Sequence, residues 1–302
     1  MTTRCGLVAV IGAPNAGKST LVNALVGQKV AIVSAKTQTT RARLMGIALA
    51  EIADAGGEPI RAQIVLADTP GIFAPRRRLD RAMVAAAWEG TRTADAILLM
   101  VDARKRRRDD LAPILEALHD RPERKLLVLN KVDAVEKPKL LALAQELTEG
   151  FSFDEVFFIS ALTGDGVPEL RQWLARAMPE GAWLYPEDQV SDASERLLAC
   201  EITREQLYRQ LHDELPYDSA VRAESYTPRK DGSIEIRQQI VVARDSQKAI
   251  VLGKGGTMIR SIGEAARGEL AALLGQKVHL FLHVKVEENW AEARDLYEEI
   301  GL

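Results

Sequence analysis

The sequence predicts a doubly wound α/β domain followed by a smaller α+β domain, on three observations. Residues 5 to 178 alternate short apolar runs with helix-length segments, the order of a parallel sheet wrapped by helices. The stretch Gly12-Ala13-Pro14-Asn15-Ala16-Gly17-Lys18-Ser19-Thr20 stands between the first apolar run and the first helical segment. Beyond Pro179 the pattern changes to helix, strand, strand, helix, loop, helix, strand. A chain of 302 residues is long enough for two such domains.

In the first domain, placed at residues 1–178, strands are expected at 6–11, 61–67, 95–101, 125–129 and 155–159. Most are continuous apolar runs, as strands covered on both faces must be. Helices are expected at 18–27, 79–90, 109–119, 136–149 and 167–177. Residues 179–194 hold Pro179, Gly181, Pro186 and several acids with little periodicity, and read as a linker. The second domain, 195–302, opens with a helix at 194–212 that begins near Ser191 or Ser194. Strands at 219–227 and 233–243 flank Pro228-Arg229-Lys230-Asp231-Gly232 and form a hairpin. Then come a helix at 245–250, the loop Gly253-Lys254-Gly255-Gly256, a helix at 257–274, a strand at 277–286 and a last helix at 289–299.

Composition narrows the class. Hydrophobic residues make up 47% and charged residues 27%, the balance of a globular protein with sizeable cores. Cys5 and Cys200 are the two cysteines, too few and too far apart for a disulfide framework, so a reducing compartment is expected. No apolar run approaches the roughly 20 residues of a membrane span. The N-terminus lacks the features of a signal peptide, so a cytoplasmic protein is expected. The net charge of −3 points to no polyanionic partner. Residues 181–302 hold 15 basic and 21 acidic side chains, so an RNA site there must be a local patch. Residues 221–260, with eight basic and four acidic, are that stretch.

The chemistry begins at the glycine-rich loop. It fits Gly-x-x-x-x-Gly-Lys-Ser/Thr, in which backbone N–H groups and a helix N-terminus cradle a phosphate chain. Gly12 and Gly17 permit the close approach, with Pro14, Asn15, Ala16 and Thr20 completing the cradle. Lys18 can reach the β- and γ-phosphates, and the Ser19 hydroxyl can ligate Mg²⁺. Asp68-Thr69-Pro70-Gly71 ends the second apolar run, where Asp68 can serve the Mg²⁺ shell and Gly71 can offer its N–H to the γ-phosphate. Asn130-Lys131-Val132-Asp133 ends another. There Asp133 can accept from guanine N1–H and N2–H₂, a donor pair adenine lacks; Asn130 can bind the base edge and the Lys131 stem can cover the ring. Ser160-Ala161 ends the next, where a backbone N–H can meet guanine O6. Alone, each of the last three motifs reads equally as a turn or a solvated loop. Their succession at strand ends, where an open α/β sheet binds its ligand, points to GTP and GDP. Between the first helix and the next strand, Gln38-Thr39-Thr40-Arg41 can supply a hydroxyl to Mg²⁺, with Thr40 the choice and Thr39 the alternative. Lys18, Thr40 and Gly71 are the residues expected to act in catalysis, and Ser19, Thr40 and Asp68 at the metal.

In the second domain, Gly253-Lys254-Gly255-Gly256 between two helices matches the Gly-x-x-Gly loop of KH domains, which clamps about four nucleotides of a single strand. Ile250, Val251, Leu252 and Ile259 are expected to line the groove beneath the bases. A helix-turn-helix glycine turn is the plain alternative, but the flanking element order suits the type II KH arrangement. Two basic runs, Arg76 to Arg78 and Arg104 to Arg108, fit either contacts to rRNA phosphates or solvated loops balanced by Asp109 and Asp110.

With GAPNAGKST, QTTR, DTPG and NKVD in the first domain and GKGG in the second, the chain resembles the Era family of bacterial GTPases over nearly its whole length. The resemblance implies a P-loop GTPase domain and a type II KH domain. It implies binding of the 3′ end of small-subunit (16S) rRNA, a part in assembly of that subunit, and possible peripheral contact with the inner membrane; a monomer is expected. Ala13 and Ala16 stand where the family often has Arg and Val. Ras-type GTPases place a Gln after Asp-x-x-Gly to orient water; here that place is Ile72, so slow turnover is expected. Asn15 sits where some related GTPases use an Asn to hold K⁺ near the phosphates, implying K⁺-stimulated hydrolysis. Three other readings compete. An assembly factor in which GTP is a structural or regulatory ligand with little turnover remains open, because Ile72 leaves the water unplaced. A tRNA-modification GTPase lacks its catalytic cysteine or folate-type domain here, and a small-molecule kinase would not need Asn-Lys-x-Asp.

Overall fold

The computed structural model describes residues 2–34, 36, 40–41, 44–53, 57–75, 77–105 and 111–292. It divides into two compact units, one of Met1–Ala31 with Thr40–Asp192 and one of Ile32–Thr39 with Ala193–Leu302.

The first unit is a six-stranded sheet in the order β2-β3-β1-β4-β5-β6. Its elements are β1 (Thr2–Gly12), α1 (Lys18–Val26), β2 (Leu44–Ala53), β3 (Pro59–Asp68), α2 (Arg78–Glu89), β4 (Ala96–Asp102), α3 (Leu111–Leu118), β5 (Arg124–Asn130), α4 (Lys137–Thr148), β6 (Glu155–Ile159) and α5 (Val167–Ala177). β1 lies parallel between β3 and β4, and β5 and β6 continue the parallel set. The chain leaves β1 toward one side of the sheet and returns to β4 on the other, so the end of β1 is a topological switch point. Continuous apolar runs fill both faces by alternation. Val8, Val10, Leu98, Met100, Leu126 and Val128 meet α1 and α5 on one face. Ala9, Ile11, Ile97, Leu99, Leu127 and Leu129 meet α3 and α4 on the other.

Two features depart from expectation. β2 falls where the sequence reading runs only a loop to residue 61. It pairs antiparallel with β3 at the sheet edge, from Leu44 opposite Asp68 to Ala53 opposite Pro59. Residues 179–192, expected as linker, are bound to this unit. Cys5 N donates to Pro179 O (3.0 Å) and Ile47 N to Val190 O (2.8 Å). At the centre of this strap, buried Gln63 on β3 accepts from Leu184 N (2.9 Å) and Tyr185 N (3.0 Å) and donates to Tyr185 O (2.8 Å). One amide side chain replaces the periodicity that would have marked a regular element.

The second unit comprises α6 (Glu195–Gln210), β7 (Ser219–Pro228), β8 (Ile234–Val242), α7 (Asp245–Leu252), α8 (Thr257–Leu274) and β9 (Val278–Val286). β7 and β8 form the expected hairpin, and β9 lies parallel to β8. Ser194 caps α6, its hydroxyl accepting from Leu197 N at 3.2 Å. Ile32 packs among Ala199, Ile202, Ile236 and Ala266 of this unit. Val33 N donates to Glu205 Oε1 on α6 (3.1 Å), and Lys36 Nζ donates to Leu211 O. The helix expected at 289–299 lies largely outside the described residues, which end in a short 3-10 turn, Trp290–Glu292. No helix among the described residues is long and apolar enough to cross a membrane.

Replacing Gln63 by Leu keeps the volume and strands the Leu184 and Tyr185 amides. Each buried group left unpaired costs roughly 1–3 kcal/mol. Urea unfolding is expected to show that loss, with faster proteolysis within 181–190; an unchanged midpoint would mean the strap is held by its apolar side chains alone.

Candidate functional site

A loop whose N–H groups point inward must turn its carbonyls outward, and each carbonyl then needs a donor. Five successive carbonyls here have one. Gly12 O accepts from Ile72 N (3.1 Å) and from Lys18 Nζ (3.2 Å). Ala13 O accepts from Ala16 N (3.3 Å) and Lys18 Nζ (3.2 Å). Pro14 O accepts from Lys105 Nζ (3.4 Å), Asn15 O from Lys131 Nζ (2.6 Å) and Ala16 O from Asn130 Nδ2 (2.8 Å). Lys18 and Ala16 belong to the loop and its helix; the other donors, Ile72, Lys105, Asn130 and Lys131, come from the ends of β3, β4 and β5. The two glycines are sterically required. A Cβ at Gly12 would stand 2.3 Å from Met100 O, and one at Gly17 would stand 2.2 Å from Asn130 Nδ2. Both have positive φ, 145° and 102°.

Beside the loop three oxygens converge. Ser19 Oγ donates to Asp68 Oδ2 (2.7 Å), Thr40 Oγ1 donates to the same oxygen (3.1 Å), and the two hydroxyls lie 2.9 Å apart. Asp68 is fully buried. Two hydroxyls and a carboxylate are hard oxygen donors of the kind Mg²⁺ takes. Thr40 is thus the described threonine of its loop that reaches the trio; Gln38 and Thr39 lie outside the described residues. Burial pushes the Lys18 ammonium down to about 8, against the pull of Asp68 and with Lys105 adding to the lowering. Gly71 packs against Pro14, and a Cβ there would stand 2.9 Å from Pro14 N. The next side chain, Ile72, turns into the core with Ala9, Ile11 and Leu99. It therefore offers nothing to a water molecule.

At the far end, Asp133 is exposed in a short 3-10 turn, Val132–Ala134, after Lys131 takes a left-handed φ of 68°. One expectation needs correction here. Asn130, whose second Nδ2–H neither bond uses, spans Ala16 O and Ala161 N, accepting from the latter at 2.9 Å. That bond engages the Ala161 N–H expected for guanine O6, and Ser160 N is likewise taken by Asp165 O (2.9 Å). Asn130 and Ala161 brace the loop. Thr20 is half-buried on α1.

Sequence reasoning missed Asp102. It ends β4 at 4% exposure and receives Arg104 Nε (3.0 Å) and Nη2 (2.9 Å) and Lys131 Nζ (2.8 Å). Burial alone would raise its pKa, but the bonds from Arg104 and Lys131 outweigh it and hold the carboxyl at about 2. A lone acid at a strand tip before a basic run was the available signal. Arg104 and Lys105 are thereby turned onto Asp102 and the phosphate loop; Arg106 to Arg108 and Arg76 lie outside the described residues. Arg77 caps α2, its N–H donating to Asp80 Oδ2 at 2.9 Å.

In the second unit, Gly253, Gly255 and Gly256 have φ of 72°, 62° and 79°, and exposed Lys254 stands among them. A Cβ at Gly253 would meet Met258 N at 2.8 Å, so the loop turns tightly onto α8. Ile250 is 56% exposed beside it. Leu252 and Ile259 are partly buried, with one side on the core. Val251 is a correction: it is fully buried with Leu207, Val242 and Ile262 and cannot line a groove. The turn of the helix carries it about 100° round from Ile250, into the core.

Comparisons with known proteins follow the same two units. A family model described as 50S ribosome-binding GTPase matches residues 7–131, and one described as KH domain matches 214–291. GTPase Era of Erythrobacter litoralis is 69% identical over 99% of this chain and 97% of its own. The chain belongs to the GTPase Era family. GTPase Era of Afipia carboxidovorans is 56% identical over 99% of this chain and 94% of its own. Two solved Era structures, each 35% identical and covering 99% of both chains, superpose with TM-scores of 0.90 and 0.91. The first is an Aquifex aeolicus Era variant bound to GDP·AlF₄⁻; the second is Era in complex with MgGDPNP and nucleotides 1506–1542 of 16S ribosomal RNA. The chain is thus a GTPase of this family, with the P-loop and KH architecture its sequence predicts.

The buried lysine gives a pH test on the nucleotide-free chain. Lys18 titrates at about 8 folded and at 10.5 unfolded. Between those values the unfolded chain binds more protons, so this residue makes stability rise with pH. Unfolding free energy of wild type minus that of Lys18→Met is expected to grow from pH 8 toward 10; a flat difference would place the ammonium in water.

Proposed function

We propose that this chain binds GTP and GDP with Mg²⁺ in its first unit, hydrolyses GTP slowly, and binds single-stranded 16S rRNA near its 3′ end through its second unit, in assembly of the small ribosomal subunit. The observation that carries the nucleotide half is the row of five capped carbonyls, which would leave the opposite face of the loop to its amides and a phosphate chain. Gly12 to Thr20 would hold the phosphates, with Lys18 neutralising the β- and γ-groups. Ser19, Thr40 and Asp68 would hold Mg²⁺, which supplies charge neutralisation across the phosphates. Asp133 would select guanine, Lys131 would cover the ring, and Gly71 would report on the γ-phosphate.

The RNA half is supported by the Gly253 to Gly256 loop, by exposed Ile250 and Lys254 beside it, and by the 16S rRNA held by the structural relative. Coupling between the halves is supported by chain order. Ile32, Val33 and Lys36 belong with the second unit, and Thr40, a few residues on, belongs to the metal trio. GTP binding would order Thr40 and Gly71 and favour RNA binding, and hydrolysis would favour release. The RNA partner and two free thiols support a cytoplasmic location and a monomer is expected; peripheral inner-membrane contact is implied by the family resemblance. A second reading, GTP as a regulatory ligand with little turnover, draws on Ile72, whose burial leaves the hydrolytic water to backbone, a cation or a partner.

The test measures GTP hydrolysis and RNA binding together, with an oligonucleotide of the 16S rRNA 3′ end. The double change Lys254→Asp with Gly255→Asp is expected to weaken RNA binding by about tenfold or more, since it sets two carboxylates against the backbone phosphates. GTP affinity should be retained. RNA affinity unaltered by the double change would move the RNA site elsewhere. Single-turnover hydrolysis too slow to detect with RNA present would favour the regulatory reading. We further propose a K⁺ ion at Asn15: hydrolysis is expected to be faster in K⁺ than in Na⁺ buffer, and equal rates would exclude it.

A further inference from the structure

Asp102 is a buried carboxylate that the proposed chemistry leaves without a task. Its Oδ2 receives Lys131 Nζ at 2.8 Å, and the same ammonium donates to Asn15 O at 2.6 Å. Its Oδ1 receives the Arg104 backbone N–H (3.1 Å) and Nε (3.0 Å), and its carbonyl receives Lys105 N (3.1 Å). The turn so formed sends Lys105 to Pro14 O. One side chain thus organises the donors to two consecutive carbonyls of the phosphate loop, from the ends of two strands that pair Asp102 opposite Asn130.

An ammonium on a four-carbon stem has many rotamers and a hydrated head, so a lysine reaches one carbonyl reproducibly only when something else fixes it. Asp102 is that fixture. It is almost wholly desolvated and its charge is matched by Arg104 as well as Lys131, so the lysine is held against an anion that cannot turn to water. Lys131 in turn carries both the loop carbonyl and the expected cover of the guanine ring. We propose that Asp102 is a positioning residue of the nucleotide site, acting through Lys131 to set how long guanine nucleotide stays bound. This rests on the guanine-nucleotide reading above: binding by wild type tests that reading, and the variant comparison tests this one.

Asp102→Asn is the informative change. Its side-chain oxygen still accepts from Arg104 N and Nε, so the turn and Lys105 stay in place, while the Oδ2 acceptor shared by Lys131 Nζ and Arg104 Nη2 is lost. The experiment is stopped-flow release of a fluorescent GDP from wild type, Asp102→Asn, Asp102→Glu, Lys131→Ala and the Asp102→Asn/Lys131→Ala pair, with melting of each nucleotide-free protein. Losing a charge-assisted bond is expected to speed release about tenfold or more. Asp102→Glu, which restores the anion, is expected to recover most of that loss. In the Lys131→Ala background the Asn change is expected to add less than about twofold, because the residue through which it acts is gone. Release rates that multiply in the pair would overturn the proposal, as would unaltered release in Asp102→Asn. Failure of both Asp102→Asn and Asp102→Glu to fold would also overturn it, making Asp102 a core residue rather than a positioning one.

Discussion

The constraint on which the first unit depends is that a phosphate loop cannot be completed by its own residues alone. Turning amides inward leaves a ring of carbonyls facing protein, and a buried carbonyl without a donor costs as much as a lost hydrogen bond. Ile72, Lys105 and the pair Asn130-Lys131 come from the ends of three different strands, and all reach one loop. They can do so because β3, β1, β4 and β5 are neighbours in the sheet, with parallel strands that bring their C-terminal ends to one edge. Sheet topology and loop geometry are thus a single requirement.

Burial then decides what the site residues can be. Lys18 and Asp68 are both out of water, so the lysine gives up its proton more readily and the aspartate is fixed by two hydroxyls rather than by solvent. Asp102, equally buried, goes the other way from an isolated acid because two cations reach it. In each case desolvation sets the cost and a named neighbour sets the outcome. The strap at 179–192 shows the same economy: Gln63, sealed inside β3, holds it with three backbone bonds.

The second unit answers a different demand. It carries net negative charge, so its contact with a polyanion must be made by backbone at close range with a small number of cations. Three glycines with positive φ give that close range, and Lys254 supplies charge where the chain is most exposed. Ile250 and Val251, adjacent in sequence, divide between solvent and core because a helix turns about 100° per residue.

What the sequence determined by itself is whatever the local backbone dictates. The phosphate loop, Asp-x-x-Gly, Asn-Lys-x-Asp and the Gly253 to Gly256 turn are legible because glycine, proline and charge at fixed spacing specify a short piece of chain and its chemistry. The alternating apolar runs gave the parallel strands for the same reason. What only the tertiary structure decided are the pairings between residues far apart in the chain. The edge strand Leu44–Ala53, the strap on Gln63 and the direction of Val251 all depend on what lies opposite. So do the use of Asn130 and Ala161 as a brace and the place of Asp102 beneath Lys131. A carboxylate at a strand tip looks the same in sequence whether it faces water or a buried lysine, and packing alone supplies the partner that gives it a function.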